Sequence, residues 1–120
     1  MLPSLILCID DDKLMLKLVR NFLERFGYSN ILTAASGTDG LKMAALHEID
    51  LAILDYNMPD MNGAIVATGI RRLRPNALII MLSGEDIPEQ IKTLADAFVP
   101  KENFYRELVP TLTMLGAAAG

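Results

Sequence analysis

The chain has 120 residues, 52% of them apolar and 22% charged, with a net charge of −4. That length can enclose one hydrophobic core, so a single folded domain over 1–120 is expected rather than a disordered chain. Basic residues gather only at Arg71, Arg72 and Arg74, which disfavours direct contact with nucleic acid, and no stretch approaches the ~20 apolar residues that cross a bilayer. Residues 1–9 lack the basic start of a signal peptide, so the expected location is the cytoplasm.

Residues 5–9 form an uninterrupted apolar run, the mark of a strand buried on both faces. The single cysteine, Cys8, lies inside it and reads as a small buried thiol; no internal disulfide can form, and His47 offers no standard ligand spacing to it. Asp10, Asp11 and Asp12 end the run, and Asp12 suits a helix cap. Over 13–26 the pattern turns helical, with Met15, Val19, Phe22 and Phe26 three or four apart and Gly27 as the stop. Leu14, Leu16 and Leu18 add more apolar side chains than one buried stripe needs, which fits either a docking face or a wide core. A short strand is expected over 30–35. Ser36 then caps a second helix carrying Leu41, Ala44 and Ala45.

Residues 51–54 make another buried strand, ended by Asp55 and a loop over 56–62. A third helix is expected over 63–73, closed by Pro75. Residues 77–82 form a strongly apolar strand that stops at Ser83. A fourth helix is expected from a cap at Asp86, with Pro88 in its first turn, to about residue 95. A short strand over 97–99 and a last helix over 102–115, interrupted by Pro110, complete the chain.

Five alternations of strand and helix predict an α/β sandwich with a parallel sheet, right-handed crossovers and strand order 2-1-3-4-5. Pro100 is then tolerable because strand 5 is an edge. In such sheets the working crevice lies beyond the carboxyl ends of strands 1 and 3. Asp10, Asp11 and Asp55 meet there, with Ser83 ending strand 4 and Lys101 following strand 5. Carboxylates gathered in one crevice raise each other's pKa unless a cation joins them, and a hard ion with oxygen ligands such as Mg²⁺ suits them. Phosphoryl transfer fits the set, with Asp55 as nucleophile, Ser83 as hydrogen-bond donor and Lys101 with Mg²⁺ neutralising charge. Taken singly, each of these residues reads as a turn residue, a cap or a solvated lysine; the joint placement carries the functional reading.

At these residues the sequence resembles the receiver domains of two-component response regulators. The pieces that carry the resemblance are ILCIDDD (6–12), LAILDYNMPDMNG (51–63), IIMLSG (79–84) and AFVPK (97–101). The resemblance implies a flavodoxin-like (βα)5 doubly wound sandwich and a regulator that accepts a phosphoryl group rather than an enzyme. It implies Asp55 as phosphoacceptor, Asp10 and Asp11 as the metal-binding acid pair, and Asn57 lending its backbone carbonyl to Mg²⁺. Ser83 matches the switch hydroxyl, Lys101 the lysine that pairs with the phosphoryl group, and Phe98 the switch aromatic. Asn57 and Glu85 flank the phosphoryl site and are small or polar enough to admit water, so a short-lived phosphoaspartate is expected. The implied partners are a histidine kinase or phosphotransfer protein docking on helix 1, and an output partner or a fused output domain.

Three features depart from the family pattern. The stretch from Ser83 to Lys101 is shorter by about one helical turn (~3.6 residues), a loss that falls in the fourth helix. Glu102 rather than proline follows Lys101; a cis bond there costs roughly 2.5–4 kcal/mol, so trans is expected, with Val99–Pro100 left open. Pro110 should kink or shorten the last helix. These departures keep a second reading in play, a receiver-fold interaction domain that is not phosphorylation-switched. A third, a phosphatase-type hydrolase, lacks the second acid it would need two residues after Asp55, where Asn57 stands.

Overall fold

The computed structural model describes residues 5–84 and 86–117. Its elements run β1 (Ile6–Ile9), α1 (Lys13–Arg25), β2 (Ile31–Ala34), α2 (Gly37–Leu46), β3 (Leu51–Asp55), α3 (Gly63–Leu73), β4 (Leu78–Ser83), β5 (Ala97–Pro100) and α4 (Phe104–Met114). Short 3₁₀ segments at Glu89–Leu94 and Lys101–Asn103 flank β5. All five strands are parallel, in the order β2-β1-β3-β4-β5.

The apolar runs show no alternation because helices cover both faces of the sheet. Ile6, Cys8, Ile53, Ile80, Leu82 and Val99 point to the layer of α1 and α4, where Leu16, Val19, Leu23, Leu108 and Leu112 meet them. Leu7, Ile9, Ala52, Leu54, Ile79 and Met81 point the other way, to Ala44 of α2 and to Val66, Ala67 and Ile70 of α3. Register then decides what meets at the rim. Ile9 lies beside Leu54, Asp55 beside Leu82, and Ser83 beside Pro100. Strands 1, 3, 4 and 5 therefore end level with one another, and the residues that follow them converge.

Local chemistry sets the helix ends as expected. Asp12 Oδ1 accepts from the amides of Leu14 and Met15 at the start of α1, and Ser36 Oγ accepts from Asp39 N at the start of α2. Gly27 ends α1 at φ 92°, a left-handed backbone that other residues resist. Of the three extra leucines, Leu16 is core, whereas Leu14 and Leu18 are 64% and 47% exposed. Among the described residues no helix is long and apolar enough to cross a membrane.

The expected fourth helix does not form. Among the described residues between β4 and β5 the chain makes only the six-residue 3₁₀ segment, none of it buried; its cap position is Pro88, and Asp86 caps nothing there. The connection is short and held at its far end, where Asp96 Oδ2 accepts from Ile79 N and from Arg71 Nη2, and Asp96 N donates to Ile79 O. With no residue of the segment buried, tertiary packing supplies little that would hold an α-helix there. The last helix also starts later, at Phe104 rather than at 102, and β5 extends through Pro100. No described peptide bond is cis, so both Val99–Pro100 and Lys101–Glu102 are trans. Pro110 does not end α4, which runs on to Met114. Pro110 and Arg106 are both exposed, so water can satisfy the Arg106 carbonyl that proline leaves without a donor.

Cys8 is buried at the centre of the sheet, and burial pushes its thiol up to about 12, with Arg20 pulling down and Asp10 adding to the rise. The thiolate is the reactive form. At about pH 8 a thiol reagent should therefore label Cys8 only in step with unfolding in denaturant. Rapid stoichiometric labelling of the folded protein would contradict this packing.

Candidate functional site

Asp10 follows β1, Asp55 ends β3, and both are 4% exposed. Asp10 Oδ1 accepts from Asp12 N at 2.9 Å, and Asp55 Oδ1 accepts from Asn57 N at 3.3 Å. Their remaining oxygens face one cation: Lys101 Nζ lies 3.1 Å from Asp10 Oδ2 and 3.1 Å from Asp55 Oδ2. The contact to Asp10 is ionic by distance only, for Asp10 Oδ2 is buried and makes no hydrogen bond of good geometry. Asp11 stands beside them, exposed, and Asp10, Asp11 and Asp55 can each present a carboxylate oxygen within 4.8 Å of the others.

The electrostatics follow from this crowding. Burial pushes the Asp10 carboxyl up, the neighbouring Asp55 charge adds to the rise, and the Asp12 amide and Lys101 oppose it. Burial alone would lower Lys101, but the close approach of the Asp55 and Asp10 carboxylates more than offsets that and raises it. The lysine therefore stays charged, one ammonium shared between two buried carboxylates. That is an incomplete neutralisation, and the third acid leaves the rim more negative still.

Ser83 ends β4 one position beyond the partner of Asp55 and is 8% exposed. Phe98 pairs with Met81 across β4 and β5, is half-buried, and packs against the core on the α2 and α3 face. Ser83, Phe98, Ile87, Lys92, Pro100 and Glu102 line a crevice of about 630 Å³, in the space left where no α-helix follows β4. Of the residues singled out in the sequence, Asp10, Asp11, Asp55 and Lys101 come together, Asn57 adjoins Asp55, and Ser83 and Phe98 share the adjacent crevice. Glu85 lies outside the described residues.

Two residues of the loop after β3 have structural parts that the sequence reading passed over. Asn62 Oδ1 accepts from Ile65 N and caps α3, a role that its place before a helix could have signalled. Asp60 accepts from Gly37 N at 3.1 Å and from both Thr38 N and Thr38 Oγ1 at 2.9 Å. These bonds, the Thr38 amide foremost, hold its carboxyl below the usual range. Nothing local in the sequence signals Asp60, because its partners lie 22 and 23 positions away.

Comparison with known proteins bears on the whole arrangement. Residues 6–112 match the family model of the response regulator receiver domain. The chain belongs to that family. Among curated relatives, the receiver domain is 35% identical over 101 residues to the transcriptional regulatory protein KdpE of Mycobacterium tuberculosis, covering 82% of this chain and 44% of that protein. It is 33% identical over 91 residues to the cell cycle transcriptional regulator CtrA of Caulobacter vibrioides, covering 75% and 39%. The chain thus spans less than half the length of these relatives. Among solved structures it is similar to the response regulator TrrA of Thermotoga maritima in complex with Mg²⁺-BeF, with a TM-score of 0.84, 33% identity, and 92% and 96% of the two chains covered. It is also similar to a CheY-like receiver domain from Methanospirillum hungatei, with a TM-score of 0.83, 29% identity, and 93% and 94% covered. The strand order expected from the alternation of elements, and the flavodoxin-like fold that the resemblance implies, are those of this receiver domain.

The glycine that closes the quoted motif has a physical reason. Gly63 N donates to Tyr56 O at 2.6 Å, and a Cβ at Gly63 would lie 2.8 Å from Tyr56 Cα and 3.0 Å from Asp55 O, both backbone atoms that cannot swing aside. Gly63→Ala should therefore destabilise the receiver domain by about 1–3 kcal/mol, the usual range for overpacking. Denaturant unfolding measures it, and an unchanged midpoint would show that the loop yields freely.

Proposed function

We propose that this receiver domain accepts a phosphoryl group on Asp55 from a histidine kinase or phosphotransfer protein, with Mg²⁺ held by Asp10, Asp11, Asp55 and the backbone carbonyl of Asn57. The observation that carries the reading is the buried pair of carboxylates sharing Lys101, with a third acid at their side. The donor set fits a hard divalent cation. Asp10 Oδ2 is buried without a hydrogen bond, and three carboxylates exceed what one ammonium can neutralise. Mg²⁺, when bound, would neutralise the acids and the phosphoryl oxygens.

The chain's own residues supply the rest. The Asp55 carboxylate forms a bond to phosphorus as the donor's bond to it breaks, giving an acyl phosphate. Lys101, already within 3.1 Å of Asp55, remains protonated and can turn to a phosphoryl oxygen. The Ser83 hydroxyl, ending the neighbouring strand, donates to another. Drawing Ser83 toward the phosphoryl group would enlarge the space beside Phe98, which lines the same crevice and can turn into it. The added charge, about −1.5 to −2, biases such a two-state element by differential contacts. Lys101 reaches both acids although Glu102 follows it, which supports this reading over an interaction domain that is no longer switched. The domain then acts as a regulator in the cytoplasm, passing its state to an output partner or a fused output domain; exposed Leu14 and Leu18 on α1 suit the phosphodonor.

Incubation with acetyl phosphate and Mg²⁺ should add one phosphoryl group by mass, and Asp55→Asn or chelation of the metal should abolish the gain. A chain that stays unmodified under those conditions while folded does not act as a receiver switch. With Asn57 two residues beyond the acceptor, the phosphoaspartate should decay well before the next day. Persistence overnight would contradict the expected access of water.

A further inference from the structure

We infer that Asp60 is a positioning residue for the acceptor site: its carboxylate, clamped on the first turn of α2, holds the loop from which Asn57 offers its carbonyl. The inference rests on the function proposed above and extends it to a residue outside the acid cluster. Two independent contacts carry it. The first is the set of three hydrogen bonds from Gly37 N, Thr38 N and Thr38 Oγ1 to the two oxygens of Asp60. Charge-assisted bonds of this kind are short and directional, and a carboxylate at a helix N-terminus is further favoured by the helix dipole. The second is the approach of Met61 to Gly37, so close that a Cβ on Gly37 would clash with Met61 Cγ.

Together these contacts fasten the outer half of the loop to α2, which a polar link within the loop could not do. The inner half is tied at Tyr56, whose carbonyl takes the Gly63 amide and whose own amide donates to Leu82 O. Met58 is buried between the two ties. Asn57, exposed and beside Asp55, thus hangs between a fixed strand end and a fixed helix end. Groups that orient a metal ligand without touching the metal commonly change affinity by 10- to 100-fold when removed. Ser36 provides the contrast. It caps the same helix through Asp39 N but has no part in the loop.

The test uses the full chain and two readouts, Mg²⁺ affinity by titration calorimetry and the rate of phosphorylation by acetyl phosphate. Asp60→Ala should weaken Mg²⁺ binding about tenfold and slow phosphorylation with it. Ser36→Ala should lower the melting temperature while leaving Mg²⁺ affinity within about twofold of the wild type, the contrast that separates an outer ligand-orienting role from mere helix capping. Thr38→Val should move Mg²⁺ affinity in the direction of Asp60→Ala by a smaller factor, and the double variant should lose no more than Asp60→Ala alone. If the alanine chain does not fold, Asp60→Asn keeps the size and one acceptor oxygen and should still weaken binding several-fold. Wild-type affinity in the folded Asp60 variants, or an equal loss in Ser36→Ala, overturns the inference alone. A wild-type chain that neither binds Mg²⁺ nor gains a phosphoryl group overturns the proposed function and this inference with it.

Discussion

Asp10 and Asp55 stand at the ends of adjacent parallel strands, both buried, with one ammonium 3.1 Å from each. Two anions so placed repel strongly in a medium of low dielectric, and neither can retreat, because each is continuous with a strand buried on both faces. The pairing of Ile9 with Leu54 makes that proximity a property of the sheet rather than of the side chains. What the molecule can vary is the cation. Lys101 arrives from a different strand and is partly exposed, so it can move, and Asp10 Oδ2 retains the capacity for a further partner. A rim held in this unfinished state suits a site whose charge is meant to change.

The rest of the fold serves to bring that lysine in. Lys101 follows β5 directly, and β5 is level with β4 because Ser83 pairs with Pro100. A short 3₁₀ turn begins at Lys101 and leads into α4, whose Leu108 and Leu112 anchor it under the sheet on the α1 side. Asp96 fixes the start of the same strand through Ile79 N and Arg71. The lysine is thus located from both sides by backbone and core contacts. No cis bond is involved in its placement.

Much of this could be read in the sequence, for a definite reason. Strand ends show as the points where apolar runs stop, and in a parallel sheet those ends gather at one rim, so Asp10, Asp11, Asp55, Ser83 and Lys101 could be named before any coordinates. Caps were equally legible at Asp12 and Ser36, because a cap acts within three residues. That no α-helix forms over the described residues between β4 and β5 was not legible, because a cap and a first-turn proline report local preference only, and the six-residue segment that forms buries none of its residues. That α4 runs on past Pro110 was not legible either: the cost of a missing amide depends on whether the orphaned carbonyl meets water, and that is a matter of exposure. Asp60 was invisible because its meaning lies entirely in α2.

The segment between β4 and β5 bears on how such a domain could signal. A packed helix over Phe98 would resist its rotation and, once displaced, return the stored energy to a partner. Here the aromatic is half-buried beside a crevice of about 630 Å³ that it shares with Lys92, from a 3₁₀ segment with no buried residue. Moving a side chain into existing space breaks few contacts, so the proposed turn of Phe98 into the crevice would cost little packing energy. A ligand or modification shifts an equilibrium only by its differential interaction with the two states. On the proposed function that difference would come chiefly from the charged rim, from what Ser83 and Lys101 gain once Asp55 carries a phosphoryl group. The electrostatics of Asp10 and Asp55 would then set the amplitude of the proposed output as well as the chemistry of its input.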